Sequence, residues 1–143
     1  MFQKILIPTD LTNFSDKAFI TGRDLAEKHN GKLILIFVLP DYRYPVVAQY
    51  FPAAAQEKAR KEAEAQLHQF VASHQAEALV EEVLVKTGVA YDEILTAAEN
   101  KKADTIIISS HDRGPMGRFL MGSNAEKVVR YAHCSVLVIK EHD

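Results

Sequence analysis

The side chains best suited to chemistry gather between Ser109 and Ala125, which reads Ser-Ser-His-Asp-Arg-Gly-Pro-Met-Gly-Arg-Phe-Leu-Met-Gly-Ser-Asn-Ala. Gly114, Gly117 and Gly122 allow backbone angles closed to other residues and let a ligand approach the main chain. Ser123 and Glu126 have the spacing of a capping box, so a helix is expected to start there, with Val128, Val129 and Ala132 as its apolar stripe. Thr105 to Ile108, just before the loop, is a β-branched run that reads as a buried strand. Strand, glycine loop and helix N-terminus together make an anion site, because free N–H groups and the helix dipole face a phosphate. Ser123 and Asn124 add side-chain hydrogen bonding. His111 and Asp112 are the acid–base candidates of the loop. Adjacent residues of an extended segment point apart, so the two need not cooperate, and ordering the loop or touching phosphate is the expected role of His111.

A second candidate lies far away in sequence. Ile5, Leu6 and Ile7 form a continuous apolar run, as in a central parallel strand buried on both faces, and Pro8 ends its ladder. Asp10 therefore falls at the carboxyl end of that strand, where open α/β sheets keep their sites. Thr12, Asn13 or Ser15 can cap the next helix, whose Ala18, Phe19, Gly22, Leu25 and Ala26 recur at helical spacing until Asn30-Gly31.

These groups need a scaffold. Leu33 to Leu39 reads as a second buried strand. Asp41 to Ala55, with Tyr42, Tyr44, Tyr50, Phe51, Pro45 and Pro52, reads as a long connection. A helix is expected from near Gln56, with Ala59, Ala63, Leu67, Phe70, Val71 and His74 as its stripe. Leu79 to Lys86 carries Glu81, Glu82 and Lys86, as an exposed edge strand does. Ile94, Leu95 and Ala98 mark a short helix, and Val136 to Ile139 a last strand. The alternation predicts an α/β fold: a five-stranded parallel sheet with helices on both faces and right-handed crossovers. With the first strand beside the fourth, Asp10 and the 109–125 loop face each other across the switch-point crevice.

Composition narrows the functions. A chain of 143 residues with formal net charge -2 gives no electrostatic case for nucleic acid or an anionic membrane. It is expected to be one domain, 1–143. No apolar run approaches the ~20 residues of a membrane-spanning helix. The first residues lack the layout of a signal peptide, and the single cysteine, Cys134, fits a reducing compartment, so a cytoplasmic protein is expected. Cys134 itself is expected to be a small buried residue. No Walker A sequence, dinucleotide fingerprint or G-x-S-x-G elbow is present. His68 and His74 have no metal-site spacing, and no protein-held metal is expected.

Four stretches together resemble the universal stress proteins of the UspA superfamily over essentially the whole chain. They are Ile5-Leu-Ile-Pro-Thr-Asp10, Ile36-Phe-Val38, Gly88 with Ile94, and Gly122-Ser-Asn-Ala through Ile139. The resemblance implies a flavodoxin-like or Rossmann-like strand order 3-2-1-4-5. The ATP-binding branch is marked by G-x2-G-x9-G-[ST]. Gly122-Ser123 match its last pair, while Ser109 and Asp112 stand where the first two glycines would be. The Ser-Ser-His…Gly-Ser-Asn-Ala form is similar to the nucleotide-binding F/G-type branch.

By position, the resemblance puts Pro8, Thr9 and Asp10 on the ribose and adenine side and has Val38 backbone groups read the base. Ser109, Ser110, His111, Asp112, Arg113, Gly114 and Pro115 would wrap the phosphates. Gly122, Ser123, Asn124 and Ala125 would bind them at the helix N-terminus. The implied ligand is ATP or AMP as a regulatory ligand, with Mg²⁺ held through the phosphates to offset Asp112. A homodimer through Val136 to Ile139 and an unknown regulatory protein partner are also implied. Two other functions are compatible with the same residues. One is a nucleotide-free interaction module of the same fold. The other is a slow ATPase or autophosphorylating protein using Ser109, Ser110 or Ser123.

Overall fold

The computed structural model describes residues 1–10, 16–39, 45–110 and 122–140. Three apolar runs form the middle of the sheet as strands β1 (Lys4–Pro8), β2 (Lys32–Leu39) and β4 (Thr105–Ser110). Each is covered on both faces: Ile5, Leu6, Ile7, Leu33, Ile34, Leu35, Ile106 and Ile107 have no exposed surface. The more polar β3 (Val80–Thr87) and the half-covered β5 (Ser135–Lys140) take the edges. All neighbours pair in parallel, in the order β3-β2-β1-β4-β5.

Helices cover both faces. Helices α1 (Asp16–His29) and α3 (Ala53–Ser73) bury Phe19, Ala26, Leu67 and Val71 against Ile5, Ile7, Leu33, Leu35 and Ile107. On the other face α4 (Ala90–Asn100) and α5 (Ser123–Tyr131) bury Ile94, Ala97, Ala98, Ala125 and Val128 against Leu6, Ile34, Ile36, Ile106 and Ile108. Alternate residues of one strand thus feed two separate cores, as the pleat requires.

Several local expectations change. The connection before α3 contains a short helix, α2 (Pro45–Tyr50), and α3 begins at Ala53 rather than near Gln56. Pro52 takes the extended N-cap conformation and three alanines follow it, which suits a first turn. The stripe of α5 is Ala125, Val128 and Ala132, whereas Val129 is 43% exposed. At the end of α1, Asn30 and not Gly31 takes the left-handed conformation (φ 55°), and Gly31 N–H closes the turn on the Ala26 carbonyl at 2.8 Å. Gly31 is needed for another reason: a Cβ there would collide with the Phe2 carbonyl. The helix caps considered at Thr12, Asn13 and Ser15 lie outside the described residues.

The amino ends of β1 and β4 are joined by one carboxylate. Asp104 accepts the N–H groups of Phe2, Gln3 and Lys4 at 2.9, 2.9 and 3.0 Å and the Thr105 hydroxyl at 2.9 Å. Partial burial pushes its pKa up. The Lys4 N–H, the Thr105 hydroxyl and the other two N–H groups outweigh that, and the carboxyl lies below its ordinary value. A depressed carboxyl stabilises the fold above the ordinary carboxylate range, and the contribution is lost as pH falls through the folded-state value. Asp104→Asn is therefore expected to cost about 1–2 kcal/mol at pH 7. In urea melts at a series of pH values the gap from the parent should narrow below about pH 4. A gap independent of pH would assign the effect to shape rather than charge.

Candidate functional site

The strand order reverses between β1 and β4, and there the carboxyl ends part into a crevice. Pro8 lacks an N–H and closes the ladder opposite Ile36; Thr9 then gives its N–H to the Ile36 carbonyl at 2.9 Å. Peptide groups alternate sides along a strand, so if Ile36 faces β1, Val38 faces the same way. Val38 lies beyond the last β1 pairing, so its N–H and C=O front the crevice without a β1 partner. Leu39 faces the other way and accepts Gly88 N–H at 3.0 Å.

Two cavities meet there. The first, about 310 Å³, is floored by Ile36, Phe37, Val38, Ile94 and Ile108 and walled by Pro8, Thr9, Asp10, Ala90, Ser109 and Asn124. The second, about 220 Å³, lies over the start of α5 between Ser109, Ser110 and Gly122 to Ala125. They share Ile108, Ser109 and Asn124. One is an apolar slot and the other is ringed by hydroxyl, amide and backbone groups. Thr9 is 7% exposed, while Asp10 is exposed and is the one charged residue on the described walls.

Ser110 and Ser123 differ from their sequence roles. Ser110 is buried, and its Oγ accepts the Gly122 N–H at 2.8 Å, so it ties together the two ends of the 111–121 segment. Gly122 takes the N-cap position, with φ -62° and ψ 155°, and Glu126 N–H bonds its carbonyl at 2.9 Å. The helix thus starts one residue early for a capping box: Ser123 is its first residue, and no side chain caps it. The N–H groups of Ser123, Asn124 and Ala125 consequently have no acceptor among the described residues, as helix geometry leaves them. Strand alternation puts Ser109 on the α1 side, opposite Ser110. Its Oγ is buried with no hydrogen-bond partner among the described residues.

Of the residues singled out by sequence, Pro8, Thr9, Asp10, Val38, Ser109, Ser110, Gly122, Ser123, Asn124 and Ala125 come together around these cavities. His111, Asp112, Arg113, Gly114 and Pro115 lie outside the described residues. Phe37, Ala90 and Ile108 were not singled out individually as crevice residues. Their signal was only their place at the end of a buried strand or at the start of the helix after Gly88.

Cys134 is half-buried rather than fully buried. It lines a separate cavity of about 340 Å³ between the carboxyl ends of α4 and α5, and burial pushes its thiol pKa up. A protonated thiol is a poor nucleophile, which suits a packing role. Among the described residues no three His, Cys, Asp or Glu side chains are grouped to hold a metal, and no helix is long and apolar enough to cross a membrane.

A five-stranded parallel sheet in the order 3-2-1-4-5, with a crevice at the reversal, defines the doubly wound α/β class, which keeps its ligands at that point. Residues 1–140 match the profile of the universal stress protein family, and the chain belongs to that family. It is 29% identical to universal stress protein MJ0531 of Methanocaldococcus jannaschii, covering 99% of this chain and 84% of the relative. It is 30% identical to universal stress protein G of Escherichia coli O157:H7, covering 98% and 100%. Among solved structures, hypothetical protein MJ0577 superposes with a TM-score of 0.80 at 26% identity, covering 100% of this chain and 99% of its own. A universal stress protein solved in complex with cAMP superposes with a TM-score of 0.66 at 25% identity, covering 96% and 95%.

Proposed function

We propose that this universal stress protein binds an adenine nucleotide, ATP or AMP, as a regulatory ligand in the crevice between β1 and β4. The observation that carries the proposal is the confluence of the two cavities. An apolar slot accepts a flat base, and the adjoining helix start accepts its phosphate. Val38 offers an N–H and a C=O side by side, a match for the acceptor N1 and the amino group of adenine. Ser123, Asn124 and Ala125 offer an anion N–H groups that have no acceptor among the described residues. The relative solved with cAMP supports a ligand of this class.

Asp10, exposed on the wall of the slot, is suited to ribose hydroxyls, since a carboxylate accepts two such bonds. A magnesium ion would enter with the phosphates, as is usual for a cation that keeps most of its water. The whole chain acts as one unit, and we place its homodimer contact on β5, an open edge with Leu137 37% exposed.

The test is mass spectrometry of small molecules released from freshly purified protein, with a rinse through a nucleotide-free buffer as control. Adenine nucleotide in the released fraction supports the proposal. Its absence, together with no uptake of ATP or AMP at millimolar concentration, would move the function to the protein's surface.

A further inference from the structure

A bound nucleotide brings negative charge into a crevice whose described walls hold no cation, only Asp10. Backbone N–H groups can hold one phosphate, but a chain of phosphates needs positive charge. Two cations lie on α5. Arg130 is occupied, with Nη2 2.9 Å from Glu126 Oε1. Lys127 is not: among the described residues it has no carboxylate partner, and its ammonium sits 4.6 Å from the centroid of the Tyr91 ring.

The position of that ammonium is informative. Lys127 is one turn beyond Ser123 and Asn124, so it shares their face of the helix, and helix side chains lean towards the N-terminus. Tyr91 follows Ala90, which walls the slot from α4. Neither Lys127 nor Tyr91 lines the two cavities, but the ammonium lies over the Tyr91 ring between α4 and α5, one residue from Ala90 and one turn from Asn124, which do line the slot. An exposed cation–π contact is weak, and a phosphate oxygen is a stronger partner for the same ammonium.

We infer that Lys127 is a phosphate-sensing cation of this site: held over Tyr91 in the free protein, it turns to the phosphate chain of the bound nucleotide and strengthens the preference for more highly phosphorylated ligands. The inference rests on the proposed nucleotide site. Lysine suits the role because its long flexible stem carries a point charge that needs no fixed geometry.

The experiment is calorimetric titration of adenosine, AMP and ATP into the parent protein, Lys127→Met and Lys127→Arg. In Lys127→Met the ATP affinity should fall about tenfold, that of AMP less, and that of adenosine by less than about twofold. Lys127→Arg should restore most of the ATP affinity. Added salt should weaken ATP binding more in the parent than in Lys127→Met. An equal loss for ATP and adenosine, or an unchanged ATP affinity in a parent that binds it, would overturn the role of Lys127 and leave the nucleotide site standing. A parent that binds none of the three would overturn the nucleotide site and the lysine's role with it.

Discussion

Ala90→Phe is expected to abolish measurable binding of adenine nucleotides, lowering affinity at least about 100-fold, without unfolding the protein. Ala90 is the first residue of α4 and is partly exposed, so the helix can carry a larger side chain there. It also walls the apolar slot, together with Pro8 and Thr9. A phenyl ring from that position competes with the base for the same space, and a site that has lost its base pocket loses most of its affinity with it. Calorimetry with ATP reads the loss, and thermal melting shows whether stability stays within about 1 kcal/mol of the parent. Unchanged affinity would place the base somewhere other than the slot.

The largest stability effect is expected at Phe19→Ala. Phe19 has no exposed surface and is the largest fully buried side chain among the described residues. It joins α1 to α3 through edge-on contacts with Phe70 and His74, at ring-centroid separations of 4.9 and 5.0 Å. Removing it takes away the buried ring and leaves a cavity between two helices and the sheet, at about 3–5 kcal/mol. Domains of this size are stable by about 5–15 kcal/mol in total, so the urea midpoint should fall by a large fraction with little change in slope. A loss below about 1 kcal/mol would mean that α3 closes over the gap.

The strands that form the site are legible because each carries an unbroken apolar run, as a strand buried on both faces does. Glu81, Glu82 and Lys86 marked β3 as an edge for the complementary reason. Alternation of strands and helices then put Asp10 near Ser109 and Asn124, and these three line one cavity. The start of α5 is not legible locally. Gly122 is the N-cap, and its own N–H is held by the hydroxyl of Ser110, twelve residues away. That leaves Ser123 inside the helix despite its capping-box spacing to Glu126. The short helix α2 was hidden by Pro45, two valines and a tyrosine, which are poor helix formers. Val129 has the residue type of an apolar stripe, but the helix turns Ala125 and Val128 inward instead. Which backbone groups remain free at Val38 depends on where β1 stops, a pairing fact that no local pattern carries.

The most direct measurement is the change in backbone amide resonances of isotopically labelled protein as ATP and Mg²⁺ are added. A nucleotide in the crevice gives saturable shifts at Val38 and at Ser123, Asn124 and Ala125, since those N–H groups would gain acceptors. Little change is expected at Phe2, Gln3 and Lys4, which already bond Asp104 at the other end of the sheet. No saturable shift at Val38 and Ser123–Ala125 up to millimolar ATP, or shifts confined to other surfaces, would contradict a nucleotide site in the crevice.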